Sequence, residues 1–155
     1  MAGDLPITRT KLLLPQRRRE LLSRPRLLEL LSELLDFRLI IIAAPAGYGK
    51  TSLLIDFASN FDWPVCWFAL DPLDNDPVRF LSHFVMSIRQ QFPEFGEEAI
   101  NMLKSTPADQ LNSDYLISAL TNDIYEQIAE HFVIVLDDYH PVSYTHLTLP
   151  TNREV

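Results

Sequence analysis

The sequence predicts an α/β fold, a parallel sheet with flanking helices, and three observations carry that expectation. The runs "RLIIIAA" (38–44), "VCWFAL" (65–70) and "FVIVLDD" (132–138) are almost wholly apolar, the pattern of strands buried on both faces. Between them lie stretches whose apolar residues recur at helical spacing. The segment "APAGYGKTS" (44–52) joins the first run to such a stretch, in the strand–turn–helix order in which phosphate-binding loops occur.

Residues 1–22 are polar and basic, with Arg17, Arg18 and Arg19 in a row, a cluster read as solvated in an acidic chain. A helix is expected from Ser23 and Pro25, since proline is tolerated in a first turn. Leu27, Leu30, Leu31, Leu34 and Leu35 give it one apolar stripe. The 38–44 strand comes next. A helix from Lys50 to about Ser59 should then bury Leu53, Leu54 and Phe57. After the 65–70 strand, "DPLDNDP" (71–77) reads as a turn in which Asp71, Asp74 and Asp76 serve as turn and cap residues. Pro77 opens the next helix, whose Phe80, Leu81, Phe84, Val85, Ile88 and Phe92 share a side. A shorter helix covers 97–104, and Ile117, Leu120, Ile124 and Ile128 mark another that begins after Ser113. Buried strands joined by helical crossovers imply parallel order and right-handed connections.

At 155 residues the chain is about one domain long, and 47% hydrophobic with 10% aromatic residues suits a packed core. A net charge of −8 argues against gripping a nucleic-acid backbone, which needs a basic face. The single cysteine, Cys66, excludes an internal disulfide and a cysteine-based zinc cluster. No signal-peptide core is present at the N-terminus, and the run 39–46 is too short to span a bilayer. A soluble, cytoplasmic protein without a membrane partner is expected.

The loop fits G-x-x-x-x-G-K-[ST] except that Ala44 replaces the first glycine. Each residue type has its own task. Gly47 and Gly49 supply permissive dihedrals and let the backbone approach a phosphate. Lys50 places positive charge on the β and γ phosphates, and the Thr51 hydroxyl can coordinate Mg²⁺. The first glycine only closes the turn, so alanine there touches the least demanding position. The apolar run Val133 to Leu136 leads into Asp137 and Asp138. In phosphate-loop NTPases an acid at the first of these points holds Mg²⁺, and a second can activate water. The candidate nucleotide-binding set is therefore Ala46, Gly47, Tyr48, Gly49, Lys50, Thr51 and Ser52. Thr51 and Asp137 are assigned to the metal and Asp138 to catalysis. ATP or ADP with Mg²⁺ are the expected cofactors, on a P-loop NTPase fold.

The segments "KLLLP…RPRLLELL", "IIAAPAGYGKTSLL", "WFALDPLDNDPVRFLSHF" and "FVIVLDDYH", in this order, resemble the ATPase module of MalT-like, large LuxR-type transcriptional regulators, of the NACHT/STAND type. The resemblance covers residues 7–140, and alanine at the first loop position is usual there. It implies a module that binds ATP, switches between ADP and ATP forms and self-associates, with weak ATPase activity left open for the full-length protein. DNA binding would belong to a C-terminal domain that this sequence lacks. The resemblance also places the segment of Arg24 and Arg26 near the base and ribose, although a solvated helix start is the favoured reading of the residues themselves. The expected organisation is a polar segment (1–22), the N-terminal part of the NTPase domain (23–140), truncated before its sheet is complete, and an atypical tail (141–155). That tail has no helical period and is expected to be foreign to the domain. Two alternatives stand beside the switch: a small P-loop phosphotransferase (kinase), and a fragment that binds no nucleotide.

Overall fold

The computed structural model describes residues 4–20 and 22–139, so His140 and the tail 141–155 lie outside the described residues. The helices are α1 (Pro25–Glu33), α2 (Lys50–Asn60), α3 (Pro77–Arg89), α4 (Glu97–Ser105) and α5 (Ser113–Gln127). The strands are β1 (Val65–Ala69) and β2 (Val133–Asp137), which pair in parallel from Val65 opposite Val133 to Ala69 opposite Asp137. A mixed α/β architecture with a parallel sheet and flanking helices is thus what the chain forms.

Alternation along β1 sorts the core into two sides, because successive side chains leave a strand on opposite faces. Cys66 and Phe68 enter the larger cluster with Phe80, Val85 and Ile88 of α3, Ala99 of α4 and Leu116 of α5. Trp67 and Val135 face the other way, onto Ile55 of α2. Burial pushes the Cys66 thiol up to about 12, so it behaves as a small apolar group.

Local signals placed most helix starts. The Asp76 carboxylate accepts the Arg79 N–H at 3.0 Å and Asn112 accepts that of Tyr115 at 3.1 Å, capping α3 and α5. Asp71 and Asp74 form a reciprocal capping box around the 3-10 turn Pro72–Asn75. Turn and cap duty for these acids is therefore what the structure shows.

Four expectations are corrected. The run 38–44 lies outside the sheet, which among the described residues has two strands, and Ile41 is 48% exposed. An apolar run reports a tendency to be buried, but a ladder also needs a neighbouring strand to take its N–H and C=O groups. In α1 only Leu31 of the anticipated stripe is buried, with Leu27 and Leu30 exposed. In α2 the buried residues are Ile55, Asp56 and Phe57, while Leu53 and Leu54 are half-buried. The segment before residue 23, read as polar, also feeds the interior: Leu12 joins the large cluster, and Leu5 and Ile7 pack against it.

Candidate functional site

The loop between residue 44 and α2 turns on two glycines with positive φ, Gly47 at +85° and Gly49 at +76°. These values favour glycine, and a Cβ at Gly47 would meet nothing within 4 Å, so steric room alone does not require it. Gly49 is the N-cap of α2 and offers no side chain to its first-turn N–H groups. No acid stands in that turn either, whereas α4, also preceded by a glycine, carries Glu97 and Glu98 there. The N-terminus of α2 thus presents open donors at the positive end of the helix dipole. Ala46, Gly47 and Tyr48 are exposed at the loop's crest, and Ser52 is half-buried in the first turn.

Lys50 folds back over the loop, its Nζ donating to the Ala44 carbonyl at 2.5 Å. The Thr51 hydroxyl donates to both carboxylate oxygens of Asp137, at 3.0 and 3.1 Å. This contact joins residues 86 positions apart and brings the loop to the end of β2. Burial pushes the Asp137 carboxyl above its ordinary value; the Thr51 hydrogen bond opposes that rise and the neighbouring Asp138 charge adds to it. Asp138, the first residue past β2, is exposed and holds φ at +59°, a conformation that Asp tolerates better than most residues. The structure therefore gathers Lys50, Thr51 and Asp137 around the helix start, with Asp138 adjoining on the surface.

The residue types fit Mg·ATP chemically. Open backbone donors and an ammonium suit phosphate oxygens, and a hydroxyl beside a carboxylate suits a small hard cation that keeps its waters. A groove of about 830 Å³ exists elsewhere, near α4 and α5, but Glu94, Glu97, Glu98 and Asp123 line it, and such acids repel a polyphosphate. Among the described residues no helix is long and apolar enough to cross a membrane.

Some contributors were not legible beforehand. Asp56, 1% exposed in the middle of α2, accepts from Ser23 Oγ at 2.9 Å and pairs with Arg17 Nε at 3.0 Å. Its position inside the apolar run "LLIDF" was the available signal. Arg17 is correspondingly not a merely solvated charge, and neither is Arg24: its Nη1 donates to the Tyr48 carbonyl at 3.1 Å. Arg26 is exposed on α1, as a solvated helix start requires.

The chain is similar to a segment of larger regulators. It is 30% identical over 135 residues to the HTH-type transcriptional regulator MalT of Vibrio cholerae, a match covering 84% of this chain and 14% of that protein. The MalT regulator of Yersinia enterocolitica is 34% identical over 137 residues, or 86% of this chain and 14% of the relative. The serine/threonine-protein kinase PknK of Mycobacterium tuberculosis is 33% identical over 126 residues, 79% of this chain and 11% of the kinase. The chain thus spans 11–14% of the length of these relatives. No protein-family model matches it.

Proposed function

We propose that this chain is the Mg·ATP-binding switch module of a signal-responsive bacterial transcriptional regulator. One observation carries the reading: Lys50 and Thr51 open an uncapped helix behind a two-glycine turn, and Thr51 is hydrogen-bonded to Asp137 at the end of a parallel strand. Relatives named MalT support the regulator half of the proposal. A relative with a different name, PknK, matches over the same kind of stretch, which is the behaviour of a module that serves larger proteins. The likeness covers 11% of the kinase and 14% of each MalT regulator, so neither name by itself carries the whole protein's activity to this chain.

Bound Mg·ATP would supply the phosphate charge that the site is built to offset. The first-turn N–H groups of α2 orient the phosphates, and Lys50 leaves the Ala44 carbonyl to neutralise them. Thr51 and Asp137 would hold the cation, and where turnover occurs Asp138 would take the proton of a water whose oxygen bonds to the γ-phosphorus as the bond to the leaving ADP breaks. A switch between ADP and ATP forms, and self-association, belong to the whole regulator in this proposal.

The test is Lys50→Ala. Removing the charge-assisted bond should lower Mg·ATP affinity by at least about tenfold, the equivalent of ~1.4 kcal/mol, with an unchanged melting temperature. Calorimetric titration of both proteins decides the matter, and equal affinities sink the phosphate-loop reading.

A further inference from the structure

We infer that Arg24 is a positioning residue for the phosphate loop, delivered to the Tyr48 carbonyl by a clamp on the buried carboxylate of Asp56. The inference rests on the phosphate-loop reading above and deepens it, by naming what sets the direction of one loop donor.

The chain of contacts begins in α2. Asp56 lies less than two turns from Lys50 and is 1% exposed. A carboxylate this deep must be satisfied, and Asn60 Nδ2 at 3.0 Å, Arg17 Nε at 3.0 Å and Ser23 Oγ at 2.9 Å do so. Arg17 and Ser23 belong to the segment that precedes α1, so their bonds tie that segment to the helix the loop begins. Arg24 follows Ser23 directly. Its Nη1 reaches the Tyr48 carbonyl at 3.1 Å, and a Cβ built on Gly49 would lie 2.5 Å from its Nη2. Glycine at position 49 is favoured by its positive φ, and a side chain there would push aside the guanidinium tip that packs against its bare face.

The consequence follows from peptide geometry. In a planar trans peptide the C=O and the following N–H point in opposite directions. Fixing the Tyr48 carbonyl on Arg24 therefore fixes the Gly49 N–H on the other side of the loop. Without the guanidinium, the peptide between Tyr48 and Gly49 is free to rotate and must be ordered again when an anion binds. Arg24 acts through the loop backbone, so its effect extends to any polyphosphate, whether or not a nucleoside is attached.

Calorimetry with Mg·ATP and with inorganic tripolyphosphate, on the whole chain, separates this role from contact with the nucleoside. Arg24→Ala should weaken both ligands by the same factor, about three- to tenfold for one lost charged hydrogen bond at an exposed site. Arg24→Lys, which keeps a donor, should recover part of both losses. Ser23→Ala should weaken both in the same direction by a smaller factor. Unchanged tripolyphosphate affinity in Arg24→Ala overturns the inference, whatever happens to ATP, and so does an absence of recovery in Arg24→Lys. Lys50→Ala distinguishes the two levels. If it abolishes tripolyphosphate binding while Arg24→Ala does not affect it, the inference alone fails. If Lys50→Ala binds tripolyphosphate as wild type does, the phosphate-loop reading fails and the inference with it.

Discussion

Asp74 and Asp137 are both buried carboxylates, 0% and 7% exposed, in opposite surroundings. Asp74 sits among cations: Lys11 Nζ bonds its Oδ2, Arg79 Nε stands 3.3 Å from its Oδ1, and the Asp71 N–H donates to Oδ2 at 2.8 Å. Lys11 also bonds Asp71 at 2.8 Å and lies 5.6 Å from the centre of the Phe68 ring. Asp137 is hydrogen-bonded by the neutral hydroxyl of Thr51 and a backbone N–H, with another acid beside it and the Lys50 charge a lesser influence, and burial pushes its carboxyl upward. A buried charge compensated within the fold serves the fold. One held by a neutral hydroxyl has capacity left for a ligand of opposite sign, at some cost in stability.

The largest effect is expected at Asp74. Asp74→Ala leaves the Lys11 ammonium buried without this partner and removes half of a capping box, so unfolding stability should fall by ~3–5 kcal/mol. Denaturant titration measures this, and a loss below about 1 kcal/mol would show that the cluster is not structural.

Next come the two acids of the site. Asp138→Asn should spare nucleotide binding but slow hydrolysis by about 10²–10⁴-fold if Asp138 is the general base, measured by single turnover in the complete regulator. Asp137→Asn should instead weaken the magnesium-dependent part of ATP binding, by about tenfold, without lowering the melting temperature of the nucleotide-free chain. A reversed pattern, with Asp138→Asn losing binding and Asp137→Asn keeping it, exchanges the two assignments. A large drop in stability for Asp137→Asn would place Asp137 with Asp74 as a structural acid.

The smallest effect expected is one of pH, and it belongs to the structural cluster. His83, fully buried on α3, accepts the Thr8 N–H at Nε2 (3.1 Å) and donates from Nδ1 to the Arg79 carbonyl (2.8 Å), which assigns the tautomer. Burial holds it below its ordinary value of 6.5, with the Lys11 and Arg79 charges acting the same way against the opposing pull of Asp74 and the Arg79 carbonyl. The unfolded chain therefore takes up this proton first as pH falls. The contribution to stability is complete above 6.5 and is lost as pH drops through the lowered folded value. Melting temperatures at pH 7.5, 6.5 and 5.5 should decline in that order, and the protection of the Thr8 amide relative to its intrinsic exchange rate at each pH should fall toward the acid end. A flat profile would remove His83 from the cluster's energetics.

How far the sequence could be read differs from element to element. β1 and β2, five residues each, follow from apolar runs long enough to be buried. The start of α3 follows from Asp76, whose carboxylate acts within three residues, whereas α5 begins at Ser113 under an Asn112 cap and not after Ser113 as the sequence suggests. The loop glycines, Lys50 and Thr51 are legible because their chemistry depends on spacing along a few residues. The run 38–44 misleads because hydrophobicity carries no information about which strand pairs with which. Asp56 and Lys11 were missed because a charge in an apolar context is interpretable only when its partner is known.

The short-range part of this protein is legible in its residues: the cap of α3, the glycine turn, the order of donors at the start of α2 and the acids at and just past the end of β2. All of these rest on groups within a few residues of one another, where backbone geometry fixes the distances. Long-range packing sets the rest: Thr51 meets Asp137, Thr8 meets His83 75 residues away, and Ser23 and Arg17 reach Asp56 while Arg24 reaches the loop. Those pairs exist because the packing of α2 and α3 against β1 and β2 brings distant segments together, and local propensity is blind to that arrangement.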